Sequence, residues 1–207
     1  MGKILILNGS PRAPRSNSKQ YAELFAGVSR AETAYFNITR TNHLELCRKL
    51  EEVTDVLFVF PLYADGIPTT LLQFLKNLEA NPPQSKPTVS VLINCGFLEP
   101  EQNNVAVEMM GLFCEQNGYA LGSVLKIGSG EAILTTPFRG MVRRKLRKLA
   151  EAMETGSSQT FQVTMPLPKW MFLKASTTYW SNYGKRNGLT REQMATMEIE
   201  ADQSPQQ

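Results

Sequence analysis

Strand and helix signals alternate five times between Ile4 and Glu154, and that alternation narrows the possible folds more than any other feature of the chain. The first signal is the unbroken apolar run Ile4-Leu5-Ile6-Leu7. It is short and ends in turn residues, as in a strand buried on both faces of a parallel sheet. Tyr21, Leu24, Phe25 and Val28 then recur at i, i+3, i+4 and i+7 and mark one face of a helix. Ala34 to Ile38 is a second short strand. Asn42 with Glu45 has the spacing of a capping box, and Leu46, Leu50 and Val53 carry that helix inward. Asp55 to Phe60, DVLFVF, is the most strand-like segment, ended by Pro61. A third helix starts at or near Pro68 and buries Leu71, Phe74, Leu75 and Leu78. Val89 to Ile93, Val105 to Asn117 with Gly118 closing it, Tyr119 to Ile127 and Phe138 to Glu154 complete the series. The pattern predicts an α/β domain with a five-stranded parallel sheet covered by helices on both faces. Right-handed crossovers leave few topologies, of which the order 2-1-3-4-5 is the natural choice for five strands. Ligands of such sheets sit beyond the carboxyl ends of the strands, so a site is expected where the loops start, near Gly9, Pro61, Cys95 and Gly128.

The first of these loops has the chemistry of a phosphate cradle. Asn8-Gly9-Ser10-Pro11 stops the strand, since Gly frees the backbone and Pro ends the ladder. Ser16, Asn17 and Ser18 stand just before the amphipathic run, in helix-capping positions. Amides left unpaired at a helix start, with the positive end of its dipole, attract a dianion. Ser10, Ser16 and Ser18 add hydroxyl donors, and Arg12 or Arg15 adds a charge-assisted bond. Strand-to-helix connections usually run to about 2–6 residues, and this one is longer.

Three stretches that each follow a strand carry a family resemblance: LNGSPRAPRSNS, PLYADGIP at Pro61 to Pro68, and INCGF at Ile93 to Phe97. Together they resemble the NADPH-dependent FMN reductase group of flavodoxin-like proteins, over roughly residues 1 to 155, with a weaker likeness at GKRNGLT from Gly184. The resemblance implies a flavodoxin-like three-layer sandwich that binds FMN non-covalently. It also implies that FMN takes a hydride from NADPH or NADH and hands electrons to a flavin, quinone or other small acceptor, while the protein binds, orients and tunes the cofactor. In that reading Ser10, Arg12, Ser16, Asn17 and Ser18 hold the phosphate. Pro61, Leu62, Tyr63, Ala64, Asp65, Gly66 and Ile67 face the flavin ring, with apolar surface from Leu62, Tyr63 and Ile67 and backbone amides for the polar edge. Asn94, Cys95, Gly96 and Phe97 close the other side, and Gly96 permits close approach. Cys95 itself reads as a small buried residue, with no His nearby in sequence to activate it. Gly128-Ser129-Gly130-Glu131 lacks the third Gly of a dinucleotide fingerprint and reads as a turn beside the site. No side chain stands out as a catalytic proton donor. Two other readings stay open: an electron carrier that docks on a protein partner, and a member of the fold without a cofactor. Such carriers are usually strongly acidic, whereas this chain has a formal net charge of +3.

Absences narrow the function further. The small net charge and the lack of a basic run interleaved with aromatics argue against nucleic acid. Cys47, Cys95 and Cys114 are odd in number and far apart, which suits neither a disulfide framework nor an iron–sulfur cluster. His43 is the only histidine, so a Ser-His-Asp triad or a His-based metal site has no support, and His43 reads as a surface residue. There is no phosphate-binding G-x-x-x-x-G-K-[ST] motif. The N-terminal apolar run is too short for a signal peptide or a membrane span, so a cytoplasmic protein is expected.

Two stretches lie outside this scheme. Arg139, Arg143, Arg144, Lys145, Arg147 and Lys148 crowd the fifth helix, either as a solvated face or as an attractor of anionic NADPH. Residues 1–155 are expected to form the FMN-binding domain and residues 156–207 an extension with an aromatic-rich arm and a polar tail, EIEADQSPQQ from Glu198, that reads as frayed. The arm holds Trp170, Phe172, Tyr179, Trp180 and Tyr183, whose surface must be covered by something. It can wrap its own domain, pack on a second subunit near the flavin, or lie on a membrane. A homodimer is the expectation, since aromatics are enriched in interface cores. The membrane is disfavoured because the arm lacks a dense Lys/Arg face.

Overall fold

The computed structural model describes residues 2–196; the tail from Glu198 lies outside the described residues. Its apolar runs pair in the order β2-β1-β3-β4-β5-β6, with β1 at Ile4–Asn8, β2 at Thr33–Asn37, β3 at Asp55–Pro61, β4 at Thr88–Asn94, β5 at Leu121–Ile127 and β6 at Thr160–Val163. Every pairing is parallel. The strands with the longest apolar runs, β1, β3 and β4, lie inside the sheet and are buried almost throughout, because helices cover both faces. One face packs Leu5, Leu7, Phe58 and Phe60 against α2 (His43–Lys49), α3 (Thr69–Ala80) and α4 (Asn104–Asn117). On the other face, α1 (Asn17–Ala26) and α5 (Arg139–Glu154) pack side by side, burying Tyr21, Phe25, Val142, Leu146 and Leu149.

The order 2-1-3-4-5 is present, but the sheet has six strands where five were expected. Thr160–Val163 is only four residues long and mostly solvent-facing, too short and too polar for its alternation to show in sequence. It is pinned to β5 through Ser123, whose Oγ accepts from the Gln159 amide and donates to the Ser157 carbonyl. The first compact unit accordingly runs Met1–Met165, later than the expected boundary at 155. The second unit, Pro166–Gln207, contains α6 (Lys169–Arg186) and α7 (Arg191–Thr196). The GKRNGL segment ends α6: Gly188 takes φ +76°, and the amides of Gly188 and Leu189 return to the carbonyls of Lys185 and Gly184.

Two local expectations are corrected. Asn42 does not cap α2 with its side chain; its Oδ1 accepts from the Thr39 amide and its Nδ2 donates to the Asn37 carbonyl, bracing the turn before the helix. His43 is buried, not a surface residue, because the amphipathic register turns it onto α3, where its ring meets Phe74 edge-on at 5.8 Å. The six cations of α5 stand exposed or half-exposed opposite its buried stripe, as a solvated face requires. No helix among the described residues is long and apolar enough to cross a membrane.

Burial also sets a pH dependence. It raises the Cys114 thiol from 9.0 to about 11 and the Tyr119 phenol from 10.0 to about 12, the latter helped by the nearby Cys47 and Cys114. Both groups fold in their neutral form and ionise more easily in the unfolded chain, so their contribution is complete below about pH 9 and declines as pH rises through about 11. Urea midpoints measured at neutral pH, pH 9 and pH 10.5 are expected to fall only at the alkaline end.

Candidate cofactor site

At the carboxyl ends of β1, β3 and β4 the loops enclose a cleft of about 600 Å³, within the ~300–1,000 Å³ usual for cofactor sites. Its polar end is organised by Asn8, the last residue of β1, which is fully buried. Asn8 Oδ1 accepts from the Ser10 amide at 3.0 Å, while Nδ2 donates to the Tyr35 hydroxyl at 2.9 Å and to Asn37 Oδ1 at 3.2 Å. Ser10 is thereby held with its hydroxyl accepting from the Arg12 amide, leaving its own proton to donate. Next to it, Ser16 caps α1: its backbone is extended and its Oγ accepts from the Lys19 amide. The helix has no internal acceptors for the Asn17 and Ser18 amides in its first turn. Ser18 is buried and accepts from Asn94 Nδ2, which also donates to the Phe60 carbonyl; this ties α1 to β3 and β4. Arg12 and Arg15 are exposed at the rim, and neither joins an ion pair among the described residues.

The apolar end is built differently. Tyr63 and Gly66 exchange both backbone hydrogen bonds, so Tyr63-Ala64-Asp65-Gly66 is a tight hairpin with its two central residues at φ 44° and 57°. That conformation normally calls for Gly, Asn or Asp, so Ala64 is the unusual choice, at about 1–3 kcal/mol for a strained residue. The hairpin fixes the half-exposed Tyr63 beside Leu62, whose amide is anchored to the Asn94 carbonyl. Facing it, Gly96 is exposed, and a Cβ placed there would meet nothing within 4 Å.

Of the residues singled out from sequence, the structure brings Ser10, Arg12, Ser16, Asn17, Ser18, Pro61, Leu62, Tyr63, Cys95 and Gly96 to the cleft wall. Ala64, Asp65, Gly66, Ile67 and Phe97 do not line it: the first four form or follow the hairpin behind Tyr63, and Phe97 is exposed elsewhere. Only two of the hairpin's amides, at Ala64 and Asp65, lack a described acceptor, since those of Tyr63 and Gly66 donate to each other's carbonyls. Gly128, Ser129 and Gly130 are buried, and only Glu131 of that turn reaches the cleft. A Cβ at Gly128 would lie 2.5 Å from the Leu98 carbonyl oxygen, so this glycine serves packing. Cys95 sits with its thiol 3.8 Å from the carbonyls of Phe97 and Glu99, and burial raises its pKa; it is a small wall residue, not a nucleophile at neutral pH.

The sequence reading missed Pro14, Lys19, Gln20 and Glu23, which also line the cleft, and the anchoring role of Asn8. Two clues were present: an Asn ending an apolar strand, and the helical spacing that places Asn17, Gln20 and Glu23 along α1.

A parallel sheet in the order 2-1-3-4-5 with the site beyond its carboxyl ends defines the flavodoxin-like fold, which this chain has. No family model matches the chain, and no curated protein matches it by sequence. Solved structures do. An NAD(P)H:quinone oxidoreductase from Methanothermobacter marburgensis is 14% identical with a TM-score of 0.58, over 74% of this chain and 96% of that one. A flavodoxin of Streptococcus pneumonia TIGR4 is 16% identical with a TM-score of 0.55, over 74% of this chain and 98% of that one. An FMN-dependent NADH-azoreductase from Bacillus anthracis str. Ames Ancestor, solved in complex with FMN, is 12% identical with a TM-score of 0.54, over 73% and 99%.

Proposed function

We propose that the cleft binds FMN with its phosphate at the start of α1, and that the protein is an NAD(P)H-dependent flavin oxidoreductase acting on a small acceptor. The observation that carries this reading is the convergence, at one end of a cleft of about 600 Å³, of first-turn amides, the Ser10 and Ser18 hydroxyls and two cations that join no ion pair among the described residues. Solved proteins of the same fold that use NAD(P)H or FMN support it. When bound, FMN would supply the redox chemistry, taking a hydride from NADPH or NADH and releasing two electrons to a flavin, quinone or similar acceptor. The chain's own residues bind and orient. Ser10, Ser16, Asn17 and Ser18 hold the phosphate, and Arg12 adds a charge-assisted bond. Leu62 and Tyr63 present the surface on which the ring rests. The strained Ala64–Asp65 tip, with Gly66 and Ile67 behind it, keeps Tyr63 in place, while Gly96 leaves room on the opposite side and Phe97 lies further out on that loop.

The test is spectroscopic. Protein loaded with FMN should be yellow and should bleach anaerobically with NADPH or NADH. A yellow protein that neither nucleotide bleaches is an electron carrier, and a protein that takes up no FMN belongs to the cofactor-free class. Arg12→Ala should weaken FMN binding by about 1.5–3 kcal/mol, the scale of a hydrogen bond to a charged group. Because Arg12 is exposed and outside any described ion pair, thermal stability of the apo form should stay nearly unchanged. Unaltered affinity would shift the role to Arg15, measured in the same fluorescence titration.

A further inference from the structure

We propose that Thr164, directly after β6, is a positioning residue: together with Ser129 it clamps the loop after β4 and so sets the cleft wall that faces Tyr63. That wall is the stretch from Cys95 to Leu98, of which Cys95 and Gly96 line the cleft. Three of its carbonyls are tied to one seat. The Cys95 carbonyl accepts from the Gly130 amide at 2.7 Å, the Phe97 carbonyl from the Ser129 amide, and the Leu98 carbonyl from the Thr164 hydroxyl. The amides of Gly96, Phe97 and Leu98 have no acceptor among the described residues, so the wall keeps donors as well as room.

The seat is Gly128-Ser129-Gly130, the turn after β5. The Gly128 amide donates to the Val163 carbonyl, which carries the β5–β6 pairing on to Thr164. A Cβ at Gly128 would lie 2.9 Å from Thr164 Oγ1 as well as against the Leu98 carbonyl, and one at Gly130 would lie 3.0 Å from the Cys95 carbonyl oxygen. Glycine at both places therefore lets the loop come down on the turn. Between them stands Ser129, buried and at φ 53°. Left-handed backbone suits glycine best, yet here it falls on the one residue of the three that has a side chain. That side chain has a use: Ser129 Oγ lies 3.0 Å from Thr164 Oγ1. A hydroxyl has one proton to give, and Thr164 gives its own to Leu98. Ser129 is thus the donor of the pair, and it aims the Thr164 hydroxyl at the loop. The seat also reaches α1, since Tyr21 donates its phenol proton to the Gly130 carbonyl.

That a flavin ring fills the space between this wall and Tyr63 rests on the reading above; the clamp does not. In the full-length protein, Thr164→Val keeps the branched shape of the side chain and removes the hydroxyl. It should weaken FMN and riboflavin alike, by about five- to tenfold, the scale of one hydrogen bond. The wall meets the ring and not the phosphate, so the ratio of the two affinities should stay at the parent's value, and Thr164→Ser should restore both. Ser129→Gly removes the donor but relieves the backbone. It should weaken both flavins while leaving the melting temperature of the apo protein nearly unchanged, a split that a residue serving stability alone would not give. Hydrogen exchange reads the clamp without flavin: in apo Thr164→Val the Ser129 and Gly130 amides should exchange about five- to tenfold faster, with those of β4 unaltered. The proposal is overturned if Thr164→Val changes neither flavin's affinity, or if exchange at Ser129 and Gly130 stays at the parent's rate. A parent protein that takes up neither flavin overturns the FMN reading alone, and the exchange rates then decide the clamp.

Discussion

FMN is expected to bind at least about a hundredfold more tightly than riboflavin, the same ring without the phosphate. The estimate rests on the polar end of the cleft alone. Two charge-assisted hydrogen bonds of about 1.5 kcal/mol each already amount to a factor of more than a hundred. The site offers more than two donors: the Asn17 and Ser18 amides in the first turn of α1, the Ser10 and Ser18 hydroxyl protons, and the guanidinium of Arg12 or Arg15. The helix dipole adds to these near its axis and is only weakly screened where Ser10 and Ser18 are buried. Parallel titrations of the apo protein with the two flavins, followed by quenching of flavin fluorescence, measure the ratio. Equal affinities would remove the cradle from the account, and with it the orientation of the ring.

The second large effect is expected at Asn8. Its carboxamide joins β1, β2 and the loop after β1 in one network, through Ser10, Ser16, Tyr35 and Asn37. Asn8→Leu keeps the branched outline of the side chain, though not its volume, and removes all of these bonds. The Ser10 amide would then be left without an acceptor in a buried place, at about 1–3 kcal/mol, and the Tyr35 hydroxyl would lose a donor. A total near 2–4 kcal/mol is expected in urea unfolding of the apo protein. FMN affinity should fall as well, since Ser10 and the Arg12 amide hang on the same anchor. Asn8→Asp separates the two effects: it retains an acceptor for Ser10 but places a negative charge beside the phosphate position. Its FMN affinity should drop more than its stability. Unchanged FMN binding in both variants would mean that the phosphate does not lie at this end.

The fold was legible where burial is two-sided and the chain must repeat an apolar pattern. Leu71, Phe74, Leu75 and Leu78, and the residues of DVLFVF, could sit nowhere but the core, and all but Asp55 are buried. Thr160–Val163 was not legible because an edge strand needs few apolar residues; its identity comes from backbone pairing with β5, which leaves no mark on composition. His43 failed for a related reason: a lone imidazole is equally at home in water or against Phe74, and only the packing of α2 on α3 decides. In the site, the loop after β1 stood out by its length, beyond the usual strand-to-helix connection, and the structure places Ser10, Arg12 and Ser16 of it on the cleft wall. The Tyr63–Gly66 hairpin was hidden because its positive-φ positions fall on Ala64 and Asp65, one residue ahead of where the Asp65-Gly66 pair would place a turn, and Ala64 is a poor choice for left-handed backbone.

The sixth strand changes what a shortened protein can be. A chain cut after Glu154 would keep every residue assigned to the cleft, yet it would leave β5 (Leu121–Ile127) at the border of the sheet, with the amides and carbonyls that face β6 unpaired. Valine, leucine and isoleucine make up four of the seven residues of that border, the kind of edge to which a strand from another molecule adds readily. Thr160–Val163 closes it with a strip that is short, polar outside and therefore unattractive to further strands. The four residues that fell outside the expected domain thus act as a guard against self-association, and the smallest soluble form of the domain should end after Met165, where the first compact unit ends.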